Sequence, residues 1–202
     1  MLFITRDQID QAVEALKKGA VIIYPTETSY GLGCDATNEK AVERIFAMKG
    51  RFRKFGLPVI VAEKSEAGRY IEMPEKLMVL ADKYWPGPLN IIAMVTEGSD
   101  IIHCAAQDGS QSVRVSSHPV AATLVSRLGR PLVTTSANVS GQEAVYSVED
   151  IEKVFADQSD SPDMVLDSGT LPEMPASSAV KLDDSGEILI VRQGGLKIEE
   201  AL

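Results

Sequence analysis

Apolar residues Ile9, Val13 and Leu16 recur at helical spacing, which predicts an amphipathic helix over 7–18 with Gly19 as its stop. The run Ala20-Val21-Ile22-Ile23-Tyr24 is apolar without alternation, as in a strand covered on both faces, and Pro25 ends it. A loop rich in Thr, Ser and Gly is expected from there to Gly33. Val42, Ile45 and Phe46 then mark the inward face of a helix over 39–48, capped by Asn38. Strands over 58–62 and 89–95 flank a helix over 74–84, and Pro86-Gly87-Pro88 turns the chain into the second strand. The alternation repeats as strand 112–116, helix 120–128 and strand 132–135, which runs into Ser136, Asn138 and Gly141. A helix over 148–155, an extended piece at 164–166 and a hairpin complete the pattern. The hairpin joins 179–182 to 188–192 around Asp184, Ser185 and Gly186.

Alternating strands and helices predict a layered α/β fold, and the terminal hairpin adds antiparallel pairing. The expectation is one domain over 1–202: a twisted mixed β-sheet with flanking helices and no internal repeat. The most linker-like stretch, 157–162, is short enough for a surface loop. With 45% hydrophobic and 24% charged residues, the 202-residue chain can bury a core. Its apolar runs fall well short of the roughly 20 residues that a membrane span needs. The N-terminus lacks the basic, apolar and small-residue regions of a secretory signal, so a cytoplasmic protein is expected. Cys34 and Cys104 have neither disulfide-framework nor zinc-site spacing and read as two unpaired thiols.

A net charge of −9 argues against extended, stable binding to nucleic acid, whose affinity comes from neutralising many phosphates. Against that background the cluster Lys49, Arg51, Arg53 and Lys54 stands out as a local anion site. A solvated helix end complementing its dipole is the plainer alternative. Three other tracts carry candidate chemistry. Thr26 to Gly33 follows a buried strand, where α/β sheets bind ligands, although such a loop also serves as an ordinary turn. It has neither a P-loop nor a dinucleotide-binding glycine pattern. Ser112, Arg114 and Ser116 share one face of their strand, with Ser110 before it, and His118 reads as a cap. Thr134 to Gly141 gathers hydroxyls and an amide more densely than a turn requires.

In this order the tracts resemble the YrdC/Sua5 family of threonylcarbamoyl-adenylate synthases over roughly residues 10 to 195. The resemblance is carried by Tyr24-Pro25-Thr26-Glu27-Thr28 with Tyr30-Gly31-Leu32-Gly33, Lys49-Gly50-Arg51, Trp85-Pro86-Gly87-Pro88-Leu89, Val113-Arg114-Val115, His118-Pro119, and Thr135-Ser136-Ala137-Asn138 with Ser140-Gly141. It implies a YrdC-like fold with a concave basic cleft. The implied reaction takes ATP, L-threonine and bicarbonate or CO2, with Mg2+, to threonylcarbamoyl-adenylate and pyrophosphate. The product would pass to the machinery that makes t6A in tRNA.

Carried over by motif, Thr28, Arg114, Thr134 and Ser177 would line the threonine pocket. Lys49, Arg51, Ser110, Ser136, Asn138, Ala144 and Arg192 would hold ATP, with Lys49 and Arg51 stabilising phosphate charge and no dedicated metal ligands. The pattern departs from the family at Ala62, Asn90, Ser116 and Gln193, and in a longer segment after Arg51, a candidate lid. Ending at Leu202, the chain resembles the short YrdC type without the extra domain of longer Sua5 proteins. Two rival readings are a non-catalytic RNA-binding protein of this fold and a carbamoyl-transfer module resembling that of hydrogenase maturation factors. The acidic balance and the 5% aromatic content count against the first.

Overall fold

A computed structural model of the chain describes residues 1–156 and 158–198; Asp157, at the start of the expected surface loop, lies outside them. The chain begins with β1 (Leu2–Thr5), α1 (Ile9–Lys17), β2 (Ile22–Pro25), β3 (Tyr30–Gly33) and α2 (Glu39–Lys49). Next come β4 (Val59–Ile60), α3 (Glu75–Tyr84), β5 (Leu89–Met94), β6 (Ser110–Arg114) and α4 (Pro119–Leu128). It finishes with β7 (Leu132–Val133), β8 (Thr135–Ser136), α5 (Val148–Phe155), β9 (Met164–Asp167), β10 (Ser178–Leu182) and β11 (Ile188–Arg192).

The mixed α/β class holds, but the strands divide between two sheets instead of forming one. The first has the order β1-β9-β2-β3-β8, and the second β11-β10-β5-β6-β4-β7. Val21 and Ile23 face one side of the first sheet and Ile22 and Tyr24 the other, and all are fully buried. This double burial explains the unbroken apolar run; each such side chain removed from water contributes roughly 1.5–3 kcal/mol. On one side α1 and α4 pack through Val13, Leu16, Leu124 and Val125 against Ile22, Tyr24 and Leu166. On the other, Val21, Ile23 and Leu32 share a core with Val42 and Ile45 of α2 and with Val59, Ile91 and Val113 of the second sheet.

Three departures from the expected pattern stand out, the first two beside the site. Residues 30–33 form a strand, not a loop, antiparallel to β2 in the register Ile23 to Leu32. Alternation was present as Tyr30 and Leu32, with glycine at the intervening positions; at Gly33 nothing larger fits. A Cβ on Gly33 would stand 2.1 Å from the Val133 carbonyl oxygen and 2.8 Å from the Tyr24 ring. The expected strand 132–135 splits at Thr134: β7 pairs with β4 in the second sheet and β8 with β3 in the first. One short segment thereby crosses between sheets. The third departure is β1, which the polar pattern did not disclose; it pairs in parallel with β9.

The remaining elements follow their sequence signals closely. Asn38 accepts from the Ala41 N–H to cap α2, and His118 Nδ1 accepts from the Val120 N–H to cap α4. Gly50 ends α2 in the left-handed region at φ 54°, and the Arg51 N–H reaches back to the Phe46 carbonyl. The terminal hairpin closes on Asp183, whose Oδ1 accepts from the N–H groups of Ser185 and Glu187. Arg44 of α2 holds Asp160 through two guanidinium nitrogens, each at 2.7 Å, so much of the expected loop is stapled down. Both cysteines are free and buried, and desolvation raises both thiol pKa values.

Candidate functional site

The crossing at Thr134 opens one end of the space between the sheets, where a polar cavity of about 350 Å³ lies. The turn between β2 and β3 forms one wall. Thr26 closes that turn: its Oγ1 donates to the Ser29 carbonyl at 2.7 Å, accepts from the Thr28 and Ser29 N–H groups, and lies 3.1 Å from Thr28 Oγ1. Thr134, Ser136, Asn138 and Ala144 form a second wall, and Arg114 reaches in from the end of β6. Ser177 and Arg192, just before β10 and at the end of β11, close the far side with Arg51. Thus Thr28, Arg51, Arg114, Thr134, Ser136, Asn138, Ala144, Ser177 and Arg192 all come together from remote parts of the chain.

Lys49 and Ser110 do not line this cavity. Lys49 is 2% exposed, and its ammonium donates to the carbonyl oxygens of Ser136 and Asn138, both at 2.6 Å, and to Asn138 Oδ1 at 3.1 Å. Burial and the neighbouring Arg51 charge lower its pKa to about 7. Asn138 is also committed to the wall. Its Nδ2 donates to the carbonyls of Gln142 and Glu143, at 2.6 and 3.0 Å, which fixes the approach to Ala144. Ser110 belongs to an adjoining depression that also contains Lys54 and Lys181 and shares Arg51, Asn90 and Arg192 with the main cavity. Its hydroxyl donates to Asp108 Oδ1 at 2.7 Å.

The arginines define the electrostatics. Arg51 directs Nε to the Gly56 carbonyl at 2.8 Å and Nη2 to that of Phe55 at 3.3 Å. Arg192 directs Nε to the Ser177 carbonyl at 2.8 Å and Nη2 to Ser177 Oγ at 2.9 Å. Neither has a carboxylate partner among the described residues. Desolvation lowers the pKa of both, assisted by Arg192 beside Arg51 and by Arg114 beside Arg192. Of the three arginines lining the cavity, Arg114 alone has a counter-charge among the described residues, Glu27 at 3.1 Å. The arrangement places clustered positive charge in a partly desolvated polar cavity, where an anion is stabilised.

The family profile described as telomere recombination, Sua5/yciO/yrdC, matches residues 14–194. The chain belongs to this family. A threonylcarbamoyl-AMP synthase of Vibrio vulnificus is 35% identical over 191 residues, covering 92% of this chain and 98% of that protein. E. coli YciO superposes with a TM-score of 0.86 at 26% identity, covering 100% of this chain and 98% of its own. The P. abyssi Sua5 structure described as complexed with L-threonine gives a TM-score of 0.83 at 29% identity and covers 96% of this chain. The present chain spans only 57% of that longer protein.

Two residues that had no clear role from sequence contact the cavity wall. Asn90 lies 4% exposed beside both depressions and donates through Nδ2 to Ser177 Oγ at 2.8 Å. Glu27 becomes relevant only through its contact with Arg114, a residue from the other sheet. Ala62, another departure from the family pattern, does not line the cavity; its N–H donates to Glu66 Oε2 at 3.1 Å. Gln193 donates through Nε2 to the carbonyls of Gly194 and Leu196. Gly194 permits a close crossing, since a Cβ there would meet the Ala176 carbonyl oxygen at 2.0 Å.

Proposed function

We infer that this chain is a threonylcarbamoyl-AMP synthase, an ATP-dependent nucleotidyltransferase that converts L-threonine, bicarbonate or CO2, and ATP into threonylcarbamoyl-AMP and pyrophosphate. The observation that carries the reading is the pair Arg51 and Arg192, two guanidiniums without carboxylate partners among the described residues, on a cavity whose walls also carry Arg114, hydroxyls and amides. The names of the relatives support the same activity.

In the proposed reaction the threonine amine and CO2 form a carbamate, losing a proton. A carbamate oxygen then attacks the α-phosphorus as the bond to the β-phosphate oxygen breaks and pyrophosphate leaves. Thr28, Arg114, Thr134 and Ser177 would position threonine, while Arg51, Arg192, Ser110, Ser136, Asn138 and Ala144 would form the nucleotide side. Arg51 and Arg192 would counter the charge developing on the phosphates, so alignment and electrostatics supply the rate without a covalent enzyme intermediate. Lys49 would act by bracing the Ser136–Asn138 wall. No cluster of three His, Cys, Asp or Glu side chains suited to a metal is found among the described residues. Mg2+ would enter with ATP, ligated by phosphate and water.

The product would pass to t6A-forming machinery acting on tRNA, with the enzyme in the cytoplasm. No helix among the described residues is long and apolar enough to cross a membrane. The test is pyrophosphate release from ATP together with mass spectrometry of the product made from labelled bicarbonate. Release should require both threonine and bicarbonate, and the label should appear in an acyl-AMP. Equal turnover without threonine would reject the assignment, and a preference for carbamoyl phosphate would redirect it to carbamoyl transfer.

One observation favours a second reading: Phe52 and Phe55 are 78% and 63% exposed on either side of Arg53 and Lys54. Exposed aromatic rings among cations suit unpaired RNA bases. Salt-dependent RNA affinity without ATP turnover would support that alternative.

A further inference from the structure

Arg114 is 4% exposed, so its charge has been removed from water and requires an opposite charge. Glu27 supplies it, with Oε1 3.1 Å from Nη1. The pair is close but poorly aligned: Oε1 has no directed hydrogen bond, and the attraction is chiefly coulombic. The other oxygen, Oε2, accepts from Ser116 Oγ at 2.5 Å. That hydroxyl accepts in turn from the His118 N–H at 3.2 Å, next to the cap of α4. Glu27 is therefore tied to a fixed helix start.

With Nη1 drawn toward Glu27, the opposite edge of the guanidinium is left for another partner. Nη2 has only the long contact to Thr134 Oγ1 at 3.5 Å, and the buried Nε has no partner among the described residues. An Nε–Nη2 edge is a two-donor fork matched to a carboxylate. A buried donor without an acceptor is unfavourable, so a ligand oxygen there would remove an existing cost. Arg114 and Thr134 both line the main cavity.

We propose that Glu27, anchored by Ser116, is a positioning residue that presents the Nε–Nη2 edge of Arg114 to the carboxylate of the amino-acid substrate. This rests on reading the cavity as an amino-acid site. Charge and orientation act with opposite signs here. Removing the Glu27 charge would by Coulomb attraction alone tighten a carboxylate, whereas losing the orientation weakens it.

Calorimetric titration of the whole protein with L-threonine, L-threoninamide and ATP separates the two effects. E27L should weaken threonine ~10-fold or more, and the charge-neutral change S116A should weaken it ~3- to 10-fold. Threoninamide and ATP affinities should stay within ~2-fold, because neither ligand presents the substrate carboxylate to Arg114. Unchanged or tighter threonine binding in both variants overturns the proposal, as does wild-type protein that binds no threonine or does not distinguish it from the amide. Should E27L fail to fold, S116A alone decides. Wild-type protein that binds threonine through this carboxylate contact but forms no acyl-adenylate would sustain the proposal while rejecting the synthase assignment.

Discussion

The ammonium of Lys49 lies 2.6 Å from the carbonyl oxygens of both Ser136 and Asn138, joining the end of α2 to the end of β8 and the residues just after it, 87 and 89 positions away. The cationic tract and the hydroxyl-and-amide tract therefore meet in two ways: Lys49 braces the wall from behind, and Arg51 lines the cavity together with Ser136 and Asn138. Arg51, two residues farther along, supplies the exposed charge.

K49M should loosen that brace. The Ser136 carbonyl keeps the Asn138 N–H and the Asn138 amide oxygen keeps Ser136 Oγ, but the Asn138 carbonyl loses its donor, at about 1–3 kcal/mol for an orphaned buried group. Urea denaturation should show a lower midpoint, and ATP affinity should fall as the Ser136–Asn138 wall relaxes.

The same lysine predicts a pH dependence. Its pKa falls from 10.5 to about 7 on folding, so between those values the unfolded chain holds a proton that the folded chain has released. Stability from this group consequently rises with pH across that window. Urea midpoints measured from pH 7 to 9 should rise more steeply for wild type than for K49M; identical slopes would refute the assignment.

Loss of either unpaired arginine should affect the nucleotide. R51A or R192A removes a charge-assisted contact worth about 1.5–3 kcal/mol when formed in the transition state, or roughly a 10- to 150-fold loss of kcat/KM for ATP. R192A has a second consequence, because Ser177 loses the guanidinium that holds it. Its KM for threonine should rise more than in R51A.

Gly33 has no room for a side chain. G33A would drive a Cβ into the Val133 carbonyl and the Tyr24 ring, parting β3 from the neighbouring strand. Overpacking of this kind costs about 1–3 kcal/mol or more, and the thermal melting temperature should fall by several degrees.

Much of the fold was legible because periodicity is local. The spacing of Ile9, Val13 and Leu16, the caps at Asn38 and His118, and the turn at Asp184, Ser185 and Gly186 specify α1, α2, α4 and the last hairpin without distant information. The β3 strand was obscured because Gly31 and Gly33 weaken local strand propensity, while the demand for glycine comes from Val133 and Tyr24 across the structure.

By itself the sequence determined the α/β alternation, the order of the polar tracts and the residue types able to meet phosphates and hydroxyls. Tertiary structure decided that Thr134 marks a crossing between two sheets, that Lys49 is a buried brace while Arg51 faces the cavity, and that Glu27 belongs with Arg114. The reason is physical. Helix and strand periods are imposed by neighbouring residues, whereas the direction and partner of a charged side chain depend on desolvation and on atoms brought from far along the chain.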